Sequence, residues 1–533
     1  MRTIALQAIA PGIAARGGAS AAPRRARARS GGAAGWRARQ ARSLVGVMVA
    51  AKVAAKVAAM VGAMVGAMVA VMALAGVASA QGGAGGHDWT RFGFDAARSG
   101  VSTAPAGITA KDLSTLARHR QQVSLPGTVD ASPIYLHGVT VAGARHDVFF
   151  VTTSYGKTLA IDAADGGILW TFTPDGYGSW AGSYRITTAT PVADPSRDAI
   201  YAAAPDGVVR KLAVADGHVI WSARVSTLPQ REKIAAALNL SQGKVLVTTG
   251  GYIGDQPPYQ GHVAVLDAGS GKLLHVWNAL CSDEARLLEP AKDCPQSDAA
   301  IWARAGAVVD PANGDLFVAT GNGRWDGRTY WGDAVLELSP DASRILGNFT
   351  PSNTQYLNAN DLDLGSTAPA LLGDGFVAQG GKDDVIRLLN WGAMQGSAPH
   401  QGGAAQTVPT PSSAHLFTAP AVWHHGKQTW LFAADSGGTA AWTFQDGRLT
   451  EAWKNRNGGS SPVLAGGLLY VYDPGGSGVH VYDPTSGKAL GRLPAGPGHW
   501  NSPIVVDGRV ALPEGNANSH RTSGVLDIWR LTE

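Results

Sequence analysis

Cysteine is nearly absent, with Cys281 and Cys294 the only two in 533 residues. Two thiols without nearby histidines make an incomplete zinc site, and no C-x-x-C-H stretch offers a haem attachment, so no haem is expected. Charge is also scarce, at 16% of residues, and acidic side chains are missing altogether from residues 1–80, which hold 11 of the 44 Lys and Arg. The remainder carries 33 basic against 40 acidic residues, a net charge of −7. That sign removes the clustered positive surface on which nucleic-acid binding depends. No amphipathic helical period of any length follows Gln81, which sets helical folds aside. Phosphate-loop, dinucleotide-binding and HExxH metalloprotease motifs are missing as well.

What is present begins with a basic stretch, PRRARARSGGAAGWRARQAR, and an apolar run that ends in small residues at Ala78 and Ala80. This pattern is that of an export leader over 1–80, with cleavage after Ala80; retention as a membrane anchor is the alternative, since the run is long enough to span a bilayer. The body is then expected to be periplasmic or secreted. In such an oxidising compartment the two cysteines, which flank the polar insertion SDEARLLEPAKD, are expected to pair.

From Gln81 onward, short alternating apolar runs are punctuated by Gly, Asp, Asn and Pro turns, an all-β pattern. The stretch LAIDAADGGILW (159–170) reads as two strands about a glycine turn, ending on a tryptophan that one small sheet cannot bury and must dock on a neighbour. Looser copies follow: LAVADGHVIW, VLDAGSGKLLHVW and VYDPTSGKALGRL. A second recurrence is a small residue and a proline leading into an apolar strand, as in ASPIYL, TATPVAD, STAPALL, FTAPAVW, SSPVLAGG and NSPIVVDG. Two further units, ALNLSQGKVLVTTG and AGAVVDPANGDLFVATG, lack that proline. About eight units at spacings of roughly 40–70 residues suit a closed ring of four-stranded sheets. A pair of β-sandwiches would not explain the recurring Asp, Gly and Trp.

These repeats resemble those of the pyrroloquinoline quinone repeat β-propeller family, which is quinoprotein alcohol dehydrogenase-like, through Ala160, Asp162, Gly166 and Trp170. The resemblance implies an eight-bladed β-propeller over 131–533, closed by the C-terminal strands, with 81–130 as a lead-in that contains DWTRFGFDAARSG. It also implies pyrroloquinoline quinone and calcium in a central funnel, a small alcohol or polyol substrate, and an external electron acceptor. On that likeness DLFVATGNGRWDG supplies a calcium-ligating asparagine, Asn322, and NANDLDLGSTAPALL supplies the catalytic aspartate, Asp361 or else Asp363, with Asp361 also facing the metal. GGKDDVIRLLN supplies the quinone-contacting cation, Lys382. Where the family has a glutamate ligand, this chain has Gln256 beside Asp255; the aromatic floor falls at Trp302, with Arg304 at the stricter position. A hard cation wants such oxygens, an alcohol losing a proton wants a base, and a quinone gathering negative charge wants a cation.

Plain readings stand beside these. Asn322–Gly323 is a common turn pair, Asp361 and Asp363 can cap a loop, Lys382 sits before two aspartates as in a solvated turn, and Trp302 can be a wedge between blades. The same fold could serve as a non-catalytic scaffold for an envelope protein or a polysaccharide.

Overall fold

The computed structural model describes residues 86–254 and 256–531; the leader over 1–80 and Asp255 lie outside the described residues. Among them are eight antiparallel sheets, each with four principal strands. The eight repeat starts read from the sequence open these sheets one by one. The inner strands of the proline-led units are Ile134–Val141, Val192–Ala193, Ala370–Gly373, Ala421–His425, Val463–Ala465 and Ile504–Val506; Asn239–Ser241 and Val308–Val309 open the two units without proline. No described helix is long and apolar enough to cross a membrane.

Closure differs from the expectation of C-terminal strands alone. The last sheet takes its outer strand, Arg120–Leu125, from the lead-in and pairs it antiparallel with Gly524–Arg530. The reason is geometric, because a strand from the start of the chain in the last sheet ties the two ends of the ring together through ladder hydrogen bonds. Eight apolar clusters then lie between successive sheets. One of them joins Val123 and Leu526 of the closing sheet to Tyr135 and Phe149 of the first.

The recurring tryptophan and glycine are two halves of one joint. Trp170, on the outer strand Ile168–Phe172 of the first sheet, packs on Gly217 of the second and donates its indole N–H to the Val214 carbonyl at 2.9 Å. Trp221 meets Gly271 and Trp453 meets Gly487 in the same way. Gly217 has φ 75°, and a Cβ built there would lie 2.6 Å from the Trp170 ring. Alanine must therefore bear both a left-handed backbone and a clash. Gly217→Ala should cost about 2–3 kcal/mol in denaturant unfolding. Gly467→Ala, with a similar φ of 77° and open space around it, should lose only the backbone share. Equal losses would show that the indole does not need the glycine.

Around the axis, small polar residues tie each sheet's lead-in to the next. Thr190 accepts from the Ser132 amide at 3.0 Å, Thr187 donates to the Ile234 carbonyl at 2.9 Å, and Asn501 donates to the Val129 carbonyl at 2.7 Å. Proline suits these lead-ins because it brings no further N–H to satisfy. Cys281 and Cys294 are joined as a disulfide across the polar insertion.

Candidate functional site

The lead-ins converge on a cavity of about 460 Å³. Asp130, Thr188, Lys233, Trp302, Asp363, Phe417 and Trp500 line it, one from the segment leading into or opening each of seven sheets, so it lies on the ring axis. Four of these, Asp130, Thr188, Phe417 and Trp500, stand three residues before the proline of their repeat. The shared spacing places each of them at the same point of its lead-in.

At one end of the cavity, Lys382 bridges two carboxylates. Its ammonium lies 2.8 Å from Asp361 Oδ1 and 2.5 Å from Asp363 Oδ2, and 5.5 Å from the centre of the Trp302 ring. Burial would lower the lysine pKa, but the charges and hydrogen bonds of Asp363 and Asp361 outweigh it and the net shift is upward. Asn322 donates its side-chain amide to Asp361 at 2.9 Å and its backbone amide to Asp363 Oδ1 at 2.6 Å. The Asn322 Oδ1 atom is buried and has no partner among the described residues. A side chain at Gly321 would collide with Asp363, so glycine there admits the carboxylate. Behind them, Asp333 is fully buried; burial first, and the charges of Asp363 and Asp383 next, push its carboxyl well above the usual range.

A second charged cluster occupies the other end. Arg304 grips Asp130 through Nη1 to the backbone carbonyl at 2.7 Å and Nη2 to Oδ1 at 2.6 Å. Asp130 Oδ2 accepts from His499 Nδ1 at 2.7 Å and from the Ala517 amide at 2.9 Å. Burial would raise this carboxyl, but Arg304 and His499 together drive it far below the usual range. His499 stacks on Trp500 with centroids 3.9 Å apart, and the Arg304 guanidinium lies 5.0 Å over the same indole. Trp500, Phe417 and Trp302 join the two ends as an aromatic wall, with centroid separations of 5.0 Å for Phe417 to Trp500 and 6.0 Å for Trp302 to Trp500.

Of the residues singled out in the sequence, Trp302, Arg304, Asp361, Asp363 and Lys382 line this cavity, and Asn322 contacts both aspartates. Trp302 is thus at the axis and not a wedge between sheets. Arg304 reaches the cavity with its guanidinium already committed to Asp130. Gln256 does not join them: although its loop neighbours Gly254 and Tyr259 line the cavity, its own side chain is exposed and accepts from Arg231 at 3.0 Å. Among the described residues no three His, Cys, Asp or Glu are grouped to hold a metal ion. The sequence reading missed Asp130, Asp333, Phe417, His499 and Trp500. For Asp130, Phe417 and Trp500 the spacing to the repeat proline was the available signal.

Comparison with known proteins bears on this geometry. A family model described as outer membrane protein assembly factor BamB matches residues 114–286, the closing strand and first three sheets. Quinohemoprotein alcohol dehydrogenase ADH IIB of Pseudomonas putida is 25% identical over 265 residues, covering 43% of this chain and 37% of that protein. The dehydrogenase subunit of an alcohol dehydrogenase (quinone) from Gluconobacter oxydans is 25% identical over 235 residues, covering 38% of this chain and 30% of that protein. The chain therefore spans about a third of the length of these curated relatives. In structure, the quinohemoprotein alcohol dehydrogenase from Comamonas testosteroni superposes with a TM-score of 0.58 at 15% identity, over 84% of this chain and 82% of that one. A europium-containing methanol dehydrogenase does so with a TM-score of 0.56 at 15% identity, over 83% and 98%. With the repeat match over 114–286 and the eight sheets that share the fold of these relatives, the chain is similar to the pyrroloquinoline quinone repeat β-propellers and is quinoprotein alcohol dehydrogenase-like in architecture.

Proposed function

We propose that this protein is a quinone-dependent oxidoreductase that oxidises the hydroxyl of a small alcohol or polyol in its axial cavity and passes the electrons to an external acceptor. One observation carries the reading: the Lys382 ammonium is held by Asp361 and Asp363 beside the face of Trp302, inside an aromatic-walled cavity. A flat indole suits a planar ring system, and an ammonium suits a ring that gathers negative charge. When bound, the quinone supplies the capacity to take two electrons. The alcohol dehydrogenases among the relatives support the substrate class.

Within the cavity, Trp302 orients the flat group, the aromatic wall excludes water, and Lys382 holds a proton at Nζ as the positive charge. Asp363 has neither oxygen free, since Oδ1 takes the Asn322 amide and Oδ2 takes Lys382. Asp361 keeps Oδ2 open. A calcium ion would be held by the orphaned Asn322 Oδ1 together with Asp361, and it would compete with Lys382 for that carboxylate. Calcium takes six to eight oxygens, so most of its shell would come from outside these two side chains.

The test is to titrate purified apoprotein with pyrroloquinoline quinone, with and without Ca²⁺, following absorbance and then dye reduction over a panel of alcohols and polyols. Saturable uptake, tightened by Ca²⁺ and followed by turnover, is the expected result. Absence of uptake would overturn the reading in favour of a binding scaffold. Export by the 1–80 leader belongs to the same proposal, and an N-terminus at Gln81 in the mature protein, read by mass spectrometry, would bear it out.

A further inference from the structure

We propose that the protein carries a second binding site, on the face opposite the axial cavity, for a small organic cation: a primary ammonium borne on a ring or a short apolar chain. The inference is independent of the quinone reading.

A cavity of about 310 Å³ lies between the fourth and fifth sheets, bounded also by Val422 and His424 of the sixth and by Asp95, Arg98 and Ser99 of the lead-in. Asp310 and Gly375 border it from the turns that follow the inner strands Val308–Val309 and Ala370–Gly373, whereas the axial cavity is bordered by the segments that precede such strands. The two cavities therefore sit at opposite ends of the inner strands. Gly373, Gly375 and His424 are exposed and form the mouth. A space of this size suits a small ligand.

Phe317, Phe376 and Trp391 give the cavity an aromatic wall, with Phe317 and Trp391 edge to face at 5.2 Å. Three carboxylates, Asp95, Asp310 and Glu337, share the lining, and none of them forms an ion pair among the described residues. Arg98 lines it too, but its Nη1 and Nη2 donate to the backbone carbonyls of Phe92 and Leu238 at 2.6 and 2.9 Å.

Glu337 shows what is missing. It sits within Val335–Leu338, across the ladder from Phe317 and Gly347, and is only 6% exposed. Its Oε2 accepts from Trp391 Nε1 and from Gln395 Nε2, both at 2.8 Å. Its Oε1 has no hydrogen-bond partner among the described residues. So deep a carboxylate is costly to keep without a partner for its charge. The negative field reaches Asp315 as well, whose carboxyl is raised by burial first and then by the charges of Glu337 and Asp310. An ammonium brings three N–H donors and no acceptor, so it can meet Oε1 and Asp310 while its apolar body lies on the rings, whose faces attract a cation. An anion would meet unpaired carboxylates, and a neutral apolar guest would leave Oε1 bare.

The test is calorimetric titration of the purified protein at pH 7 with benzylammonium and butylammonium, beside benzyl alcohol and benzoate. Either ammonium should bind saturably, and the neutral and anionic probes should bind about tenfold more weakly or not at all. Glu337→Gln keeps an acceptor for Trp391 but no charge, and should weaken ammonium binding about tenfold. Phe376→Ala, on the half-buried part of the wall, should weaken it several-fold and serves should the glutamine variant not fold. Absence of saturable binding by both ammonium probes overturns the proposal, as does equal binding of benzylammonium and benzyl alcohol. Ammonium binding that survives Glu337→Gln and Phe376→Ala unchanged also overturns it, because the cation then sits elsewhere.

Discussion

Replacing Arg304 by leucine should destabilise the protein by about 3–5 kcal/mol, the usual cost of breaking a buried pair from one side. Asp130 is fully buried and Arg304 is 6% exposed by side chain, so water cannot take over from the lost guanidinium. His499 and the Ala517 amide would remain on Oδ2, leaving Oδ1 without a donor. The sign of the pH dependence follows from Asp130, whose carboxyl is held below its unfolded value. Its contribution to stability is fully present above the ordinary carboxylate range and is lost as pH falls toward the folded value. In Arg304→Leu that carboxyl should regain its proton far more easily, so the loss should shrink as pH is lowered from 8 to 4. Denaturant unfolding at the two pH values measures this. Arg304→Lys keeps the charge but not the two-pronged grip, and should recover only part of the loss. Asp130→Leu combined with Arg304→Leu should recover more, because no charge is then left buried. A small, pH-independent loss would show that the pair is not what ties the first sheet's lead-in to the fourth's.

Lys382→Met should affect both function and stability. The ammonium sits between Asp361 and Asp363, so its removal leaves two carboxylates facing an incoming anionic quinone. Quinone uptake should weaken, and turnover should fall by about 10²–10³-fold, the scale seen when a charge-stabilising donor is removed from an active site. The folding loss should come from Asp363, whose side chain is 9% exposed and is left without its cation, and not from Asp361, which is 69% exposed and stays hydrated. Lys382→Arg should restore much of the uptake. An absorbance titration read alongside a melting curve separates the two effects. Unchanged uptake in Lys382→Met would place the quinone elsewhere.

Much of the architecture was legible in the chain because each repeat carries its own instructions. The Trp170 and Gly217 joint needs a large ring, a bare turn and about one repeat between them, and all three are visible as letters. The prolines of six lead-ins marked where six sheets begin, and the two proline-free units were still betrayed by alternation. The site was legible only in part. Asn322, Asp361 and Lys382 lie within 60 positions of one another and could be found as a local constellation. The Arg304, Asp130 and His499 group could not, because its members are 174 and 369 residues apart and no local pattern distinguishes them. Gln256 shows the converse: likeness placed it in the cavity, and its loop does border the cavity, but its side chain is bonded to Arg231 instead.

By itself, then, the sequence determined the number of sheets, the joints between them and the small, proline-led segments that crowd the axis. These depend on residue type and short-range spacing, which a linear chain records directly. Only the tertiary structure decided which lead-in faces which across the cavity, and that the last sheet borrows Arg120–Leu125 from the start of the chain. The physical reason is closure. Bringing the ends together fixes the positions of all the lead-ins around one axis, and residues hundreds of positions apart become hydrogen-bonding neighbours at a buried point where a lone charge would be too costly to keep.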